Sequence, residues 1–335
     1  MTEAVISADQ PGRNCPLHYR YAPADFARAA ELQAETLYVI GGLYGNQPAL
    51  EAVVELAARE PRPVTLVFNG DFNWFNIDDA GFRTINSEVL RHHALRGNVE
   101  TEIADTSAAT AAGCGCGYPQ WVGDGEVARS NEIIVRLRDT AQRHGELCEK
   151  LAVLPLHLVA KVADTRVAIV HGDLQSLAGW SLAQELLSDA ENLNVVKKQI
   201  VTSECQIVAS SHTCLPVATT FATPQGARAV FNNGAAGMPN FRGTHHGVIT
   251  RIAATPYHDH TPLYGTRIGQ AYCDAIALHY DHARWLQDFL ALWPAGSPAH
   301  TSYHQRLTTG PHYTQAEAHR ELVRVPALSR PMTAT

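Results

Sequence analysis

Short apolar runs alternate with stretches of helical spacing through the first third of the chain. Residues 36–40 and 64–68 are nearly continuous apolar segments, which is typical of strands buried in a sheet. Residues 48–59 and 78–93 instead repeat apolar side chains at the spacing of one helix face. This strand–helix–strand order predicts an α/β fold in which helices cover a sheet.

The rest of the chain continues the alternation. Residues 156–162 and 166–170 predict two strands paired as a hairpin. Further strands are predicted at residues 207–210, 217–220, 227–232 and 247–253. The last of these is expected to close the sheet. Additional helices are predicted at residues 23–34, 131–152, 182–195, 196–204 and 268–293.

Changes of composition predict three parts of the chain. Residues 1–35 form an N-terminal segment, residues 36–255 the main domain, and residues 256–335 a helical extension with a polar tail. Inside the main domain, residues 106–125 are rich in Gly and Ala and predict a long loop. This loop contains Cys114 and Cys116, which are separated by a single glycine.

Charge and cysteine content narrow the functional classes. The 335 residues carry a net charge of -7, so the chain lacks the basic footprint of a protein that binds bulk nucleic acid. No apolar run is long enough to span a bilayer, and the first residues do not resemble a secretory signal. The chain has 7 cysteines, an odd number that favours reduced thiols, and we therefore expect a cytoplasmic protein with no membrane partner.

Polar residues follow four of the predicted strands at their C-terminal ends: Asp71, Asn98, His171 and His212. Side chains at these ends meet in one crevice of an open α/β sheet. One carboxylate, one amide oxygen and two imidazoles suit a divalent ion such as Zn, Mn or Fe. The pattern therefore predicts a metal site at this edge.

Six short motifs appear in order over residues 36–255, and together they resemble those of the calcineurin-like metallophosphoesterases. The matching segments lie at residues 41–50, 69–71, 97–100, 171, 211–214 and 233–239. The resemblance implies a metallophosphoesterase-like four-layer αββα sandwich with two mixed sheets and a C-terminal helical extension. It also implies phosphoester hydrolysis with divalent metal.

The family binds two metals, and the resemblance assigns the two positions differently here. The four ligands of the second metal match Asp71, Asn98, His171 and His212. Three of the four ligands of the first metal are replaced, by Gly42, Tyr44 and Cys214. The family histidine that protonates the leaving group or holds phosphate corresponds to Val99, and no other general acid is evident from the sequence.

Three hypotheses follow from these replacements. One ion at Asp71, Asn98, His171 and His212 supports hydrolysis of a small phosphorylated substrate, with Asn46 and Asn98 contacting phosphate. Alternatively, a first metal is rebuilt with Cys214, Tyr44, Cys114 or Cys116, and a thiolate then favours Zn or Fe. Such a Cys-containing site implies different hydrolytic or redox chemistry. The third hypothesis is a non-catalytic protein that binds a ligand or a partner. One or two ions per chain are expected under the first two.

Overall fold

The computed structural model describes residues 10–105 and 112–321. Within these ranges the chain forms strands β1 to β13, at Leu32–Ala34, Thr36–Ile40, Val64–Asn69, His93–Leu95, His157–Val162, Thr165–Val170, Ile207–Ser210, Val217–Thr223, Gly226–Asn232, Gly247–Ala253, Tyr264–Ile268, Ala271–Leu278 and His319–Glu321. It also forms helices α1 to α9, at Gln47–Ala58, Asp79–Val89, Asn98–Ala104, Asp124–Ala141, Gly145–Ala152, Ala190–Thr202, His282–Leu292, Pro298–Thr309 and Gln315–Ala318.

The strands form two mixed sheets. The first has six strands in the order β11-β12-β10-β2-β3-β4, and its β2, β3 and β4 are parallel. The second has seven strands in the order β1-β5-β6-β7-β9-β8-β13, with β6, β7 and β9 parallel and the β5–β6 hairpin antiparallel. In both sheets a parallel group therefore directs several C-terminal strand ends to the same edge.

Alternation along β2 explains how the first sheet is packed. Successive side chains of a strand point to opposite faces. Leu37 and Val39 accordingly join the core between the two sheets, whereas Tyr38 and Ile40 join the core under the helices that include α1 and α2. Both faces of this strand are buried, which is why its sequence is almost continuously apolar.

The second sheet is covered on its outer face by α6. Val196 and Ile200 of this helix belong to the same buried cluster as Val208 of β7 and Val230 of β9. The layers thus follow in the order helix, sheet, sheet, helix. The predicted four-layer sandwich with two mixed sheets is confirmed.

Four predicted elements differ from the structure. Residues 23–34 form only a 3₁₀ turn, Pro23–Phe26, before β1. The helix predicted over residues 131–152 is divided into α4 and α5. The helices predicted between residues 182 and 204 are replaced by a 3₁₀ turn and α6, because the Asp189 side chain accepts from the Asn192 N–H and starts the helix there.

The prediction of a helix over residues 268–293 is wrong for its first part. Tyr264–Ile268 and Ala271–Leu278 are antiparallel strands that join β10 in the first sheet, so β10 is not the last strand. Ala271, Cys273 and Ala275 pack into the core between the sheets with the period of a strand. The helical extension begins afterwards with α7, and the domain boundaries stay predictions.

The remaining expectations concern the loop and the tail. Residues 112–123 contain no helix or strand, and α4 begins at Asp124. Residues 106–111 of the predicted loop and residues 322–335 of the predicted tail lie outside the described residues. Within the described ranges, no helix is long and apolar enough to cross a membrane.

Candidate metal centre

Four strand ends bring the predicted ligands to one edge of the sandwich. Asp71 follows β3, Asn98 begins α3 just after β4, His171 follows β6, and His212 follows β7. All four side chains are buried. Among the described residues, Asp71, His171 and His212 form one group whose ligand atoms all lie within 4.8 Å of one another. The sheets thus gather residues separated by more than a hundred positions in the sequence.

His171 lies at the centre of this group. Its Nε2 atom is 3.2 Å from Asn98 Oδ1, 3.3 Å from Asp71 Oδ1 and 3.1 Å from His212 Nδ1. A carboxylate oxygen, an amide oxygen and two ring nitrogens therefore converge on one small volume. This is a mixed oxygen and nitrogen donor set of the kind that transition ions take.

The outer nitrogen of each imidazole is held by a backbone carbonyl. His171 Nδ1 donates to the Asn69 carbonyl oxygen at 2.8 Å, and His212 Nε2 donates to that of Cys116 at 2.9 Å. A carbonyl can only accept, so these contacts assign the proton to the outer nitrogen of each ring. When both rings are neutral, the inner nitrogens carry lone pairs that face each other, as in histidines that bind metal.

The protonation states of Asp71, His171 and His212 depend on one another. Burial opposes ionisation of Asp71, but His171 and His212 and the Val99 N–H outweigh it and lower the pKa of Asp71. Burial also opposes a charged His171, yet Asp71 raises the pKa of that ring. Burial and the neighbouring His171 together lower the pKa of His212 to about 3. His212 is therefore a neutral ring at physiological pH, the form in which imidazole binds metal.

Glu100, which the sequence analysis did not select as a site residue, holds the Asp71 turn. Its fully buried carboxylate accepts the backbone N–H groups of Asp71 at 2.7 Å, Phe72 at 3.0 Å, Asn73 at 3.2 Å and Gly97 at 3.0 Å. Burial and the nearby Asp71 raise the pKa of Glu100 to about 7. The signal in the sequence was a glutamate three residues after the Gly97 N-cap, a position from which its side chain accepts the N-cap N–H.

The Gly-Cys-Gly-Cys loop reaches the site through its backbone. The Cys114 carbonyl accepts from Asn98 Nδ2 at 2.9 Å, which turns the Asn98 oxygen toward His171. The Cys116 carbonyl holds His212 in the same way. The Cys116 thiol lies 3.5 Å from Asn98 Nδ2, and both thiols are buried. The ligand roles of these cysteines stay predictions.

Tyr44 and Cys214 lie together beside the ligand group. Tyr44 Oη is 3.1 Å from Cys214 Sγ, and burial raises the pKa of both groups. A Cβ added at Gly42 would lie 2.9 Å from Tyr44 Cζ and 3.0 Å from its hydroxyl oxygen. The phenol therefore fills the space next to Gly42. Whether Tyr44 and Cys214 bind metal stays a prediction.

Backbone strain is concentrated here. Asp71, Tyr44 and Cys214 have φ values of 54°, 56° and 63°, and they are three of the five non-glycine residues with positive φ in the described chain. Residues without glycine's freedom adopt this region at a cost, and such positions cluster at functional sites. The surrounding fold holds all three turns.

The side-chain amide of Asn46 makes hydrogen bonds that stabilise the fold. It is the N-cap of α1, where its Oδ1 accepts from the Ala49 N–H at 2.9 Å and its Nδ2 donates to the Gly237 carbonyl at 2.9 Å. Both ends of the amide thus have partners inside the protein. The contact with phosphate predicted for Asn46 stays a prediction.

A narrow cleft with about 30 Å³ of room for water-sized molecules lies in front of the converging ligand atoms and opens to the surface. Its polar walls include Asp71, Asn98 and His212. Aromatic side chains form much of the remainder: Tyr44, Trp74, Tyr118, Trp180 and Tyr303. A small ligand could therefore contact the converging donor atoms and aromatic rings at the same time.

No protein-family model matches the sequence, and no curated protein matches it. Solved structures do match. A hypothetical protein of Pyrococcus horikoshii OT3 is 16% identical, with a TM-score of 0.55 over 83% of this chain and 99% of the other. A metallophosphoesterase of Sphaerobacter thermophilus is 17% identical, with a TM-score of 0.51 over 82% of this chain and 100% of the other. These likenesses confirm the metallophosphoesterase fold that the motifs predicted.

Proposed function

We propose that this protein is a metal-dependent phosphoesterase that acts on a small phosphorylated substrate with one divalent ion. The ion is held by Asp71, Asn98, His171 and His212. The observation that carries the proposal is the convergence of lone pairs from these four side chains in front of an open cleft. The metallophosphoesterase fold supports the same class of chemistry.

The four side chains are arranged to bind a cation rather than to form hydrogen bonds with one another. His171 Nε2 and His212 Nδ1 are 3.1 Å apart, and both outer nitrogens are already assigned protons by carbonyl partners. When both rings are neutral, two facing lone pairs in a buried site leave polar atoms without a donor, which is unfavourable. A divalent ion satisfies both nitrogens and balances the Asp71 charge. Imidazole with oxygen ligands fits Zn, Mn or Fe.

The residues around the ion have separate tasks. A divalent ion supplies Lewis acidity, which polarises a phosphoryl oxygen and makes water a better nucleophile near neutral pH. Glu100 fixes the Asp71 turn, and the loop carbonyls orient Asn98 and His212. The raised pKa of Tyr44 keeps its phenol protonated, so this hydroxyl can donate a hydrogen bond to a phosphoryl oxygen.

The packing beside Gly42 supports one ion over two. The Tyr44 ring occupies the volume that a side chain at residue 42 would need. In the resemblance, residue 42 is a ligand position of the first metal. A second ion would therefore require new ligands, of which Cys214 and Tyr44 are the nearest to this space.

Elemental analysis tests the proposal. The protein is purified without added metal and without a metal-binding tag, alongside Cys214→Ser, Asp71→Asn and His212→Ala. We expect about one ion per chain in the wild type and in Cys214→Ser, and a large loss in the other two. Hydrolysis of phosphoesters should be lost in parallel.

The two alternatives predict different results. About two ions per chain, one of which disappears in Cys214→Ser, would establish the rebuilt site with a cysteine ligand. No ion, together with no turnover of a broad phosphoester panel, would support the non-catalytic binding protein, which the valine at position 99 favours. Unchanged metal content in both Asp71→Asn and His212→Ala would refute the assigned ligands.

The expected compartment remains the cytoplasm. All seven cysteines are free thiols in the structure. Free thiols are typical of a reducing compartment. Measurement of free thiols in the native protein isolated under non-reducing conditions tests this expectation, because a disulfide would argue against it.

A further inference from the structure

Five aromatic rings line the cleft in front of the proposed metal ligands, on several separate segments: Tyr44, Trp74, Tyr118, Trp180 and Tyr303. Two of them are fixed by polar contacts. Trp180 Nε1 donates to the Cys116 carbonyl at 3.0 Å, and the Tyr118 hydroxyl is 3.0 Å from Ser130 Oγ. The rings of Tyr118 and Trp180 lie 5.8 Å apart. The cleft therefore has a preformed aromatic wall.

Trp121 extends this wall to the surface. Its ring meets the Trp180 ring edge to face, with centroids 6.3 Å apart, yet 53% of Trp121 is exposed. Trp121 does not line the cleft itself, but its contact with Trp180, which does, continues the aromatic surface outward. A planar group that extends past Trp180 is therefore expected to contact Trp121.

The charges around the cleft are few. None of the described residues that line it is a lysine or an arginine, and Asp71 is the acidic one. Arg306 lies beside Cys214, but its guanidinium donates to the carbonyls of Cys214 at 2.7 Å and Pro239 at 2.9 Å. The Glu126 carboxylate acts electrostatically on Cys214 as well and offsets Arg306.

The proposed ion would leave this cleft with a small positive charge. Its two charges, less the one of Asp71 and any charge on the Glu100 carboxylate behind the Asp71 turn, give a balance of at most about +1. A phosphodiester carries one negative charge and matches this balance. A phosphomonoester dianion or a polyphosphate would bring excess negative charge into a buried site without further cations, which is unfavourable.

We propose that the cleft takes a phosphodiester monoanion that carries a planar aromatic group on an ester oxygen. The phosphoryl group faces Asp71 and His212, and the ring lies along Tyr118, Trp180 and Trp121. This inference rests on the proposed function and specifies its substrate class. Aryl and nucleoside diesters share this chemistry.

The test measures binding by calorimetry, with protein loaded with Mn²⁺. Four ligands separate the effect of the phosphate charge from the effect of the aromatic ring: diphenyl phosphate, dibutyl phosphate, phenyl phosphate and butyl phosphate. We expect each aryl ester to bind at least about 5-fold more tightly than its alkyl partner, because stacking on aromatic side chains contributes this much or more. Diphenyl phosphate should also bind more tightly than phenyl phosphate.

Each opposing result is distinct. Equal affinities for aryl and alkyl esters would overturn the inference and leave the phosphoesterase proposal standing. Tighter binding of the monoesters would overturn the charge argument in the same way. Failure of the protein to bind Mn²⁺, Zn²⁺ and Fe²⁺ alike would overturn the proposed function, and the inference with it.

Two substitutions at Trp121 provide a matched pair. Trp121→Leu removes the ring and Trp121→Phe keeps one, and neither should affect folding because the side chain is largely exposed. Loss of one aromatic contact in Trp121→Leu should lower the affinity for diphenyl phosphate by about 2- to 10-fold. The affinity for dibutyl phosphate and the metal content should not change. Unchanged affinity for diphenyl phosphate in Trp121→Leu would show that the ligand's aromatic ring does not contact Trp121, and would contradict the proposed position of the ring.

Discussion

The space beside Gly42 makes a quantitative test of the Tyr44 packing possible. Gly42→Ala introduces a Cβ that would lie 2.9 Å from Tyr44 Cζ, closer than real side-chain carbons approach one another. Overpacking of this kind costs about 1–3 kcal/mol. The φ of +66° at Gly42 adds about 1–2 kcal/mol, because an L side chain is strained there. We therefore expect Gly42→Ala to lower the free energy of unfolding by about 2–5 kcal/mol.

Removal of the ring separates the two contributions. In a Tyr44→Ala background, Gly42→Ala should lose the overpacking contribution and keep only the backbone strain. The double-mutant cycle should then give a favourable coupling of about 1–3 kcal/mol, measured by urea unfolding of the metal-free protein. Tyr44→Phe is the control: the ring stays in place, so the coupling with Gly42→Ala should fall near zero.

An additive cycle in the Tyr44→Ala background would refute the reasoning. It would mean that the Tyr44 ring does not fill the space next to Gly42 in solution. The packing beside Gly42 would then no longer favour one ion over two, even if elemental analysis found a single ion. A coupling equally large with Tyr44→Phe would instead point to the Tyr44 hydroxyl rather than to the ring.

Three further predictions concern the ligand group. In metal-free protein, acidification from pH 7 to 5 should lower the free energy of unfolding by about 2 kcal/mol through His212. The fold lowers the pKa of His212 to about 3, so the unfolded chain takes up the proton first. Chemical unfolding at both pH values should show a smaller loss in His212→Asn. Glu100→Gln should weaken metal binding by about 10- to 100-fold, since its amide would face N–H groups that a carboxylate now accepts, and competition with a chelator measures this. Mn²⁺ at 100 times its dissociation constant should stabilise the wild type by about 2.7 kcal/mol and leave Asp71→Asn nearly unchanged in the same unfolding assay.

The direction in which the pKa of His212 is shifted decides whether acidification stabilises or destabilises the fold. A histidine whose folded pKa is depressed is neutral in the fold while the unfolded chain is charged, so the stability lost appears below pH 6.5 and grows as the pH falls. His171 acts in the opposite direction, because Asp71 raises its pKa. Comparison of the wild type with His212→Asn isolates the His212 contribution. Equal pH dependence in both proteins would contradict the assignment of His212 as a buried neutral ring.

Local patterns in the sequence were sufficient for most of the fold. Strands buried on both faces must be continuously apolar, and this made β2 and β3 recognisable. The same logic placed Asp71 and His171 at strand ends. The hairpin β11–β12 was missed because its short alternating segments precede α7 and blend with a helical pattern, and pairing with β10 is a contact that no local pattern shows.

Hydrophobic periodicity and turn residues act over a few neighbouring positions, so the chain by itself determined an α/β fold and four polar residues at its strand ends. The four-layer sandwich was implied by the resemblance of its motifs. Only the tertiary structure decided how these residues are oriented. The Cys116 carbonyl holds His212 across 96 positions, and the Tyr44 ring fills the space at Gly42. Every residue has a backbone carbonyl, so the sequence does not show which one contacts His212. The volume left by a missing side chain likewise depends on which distant segment packs into it.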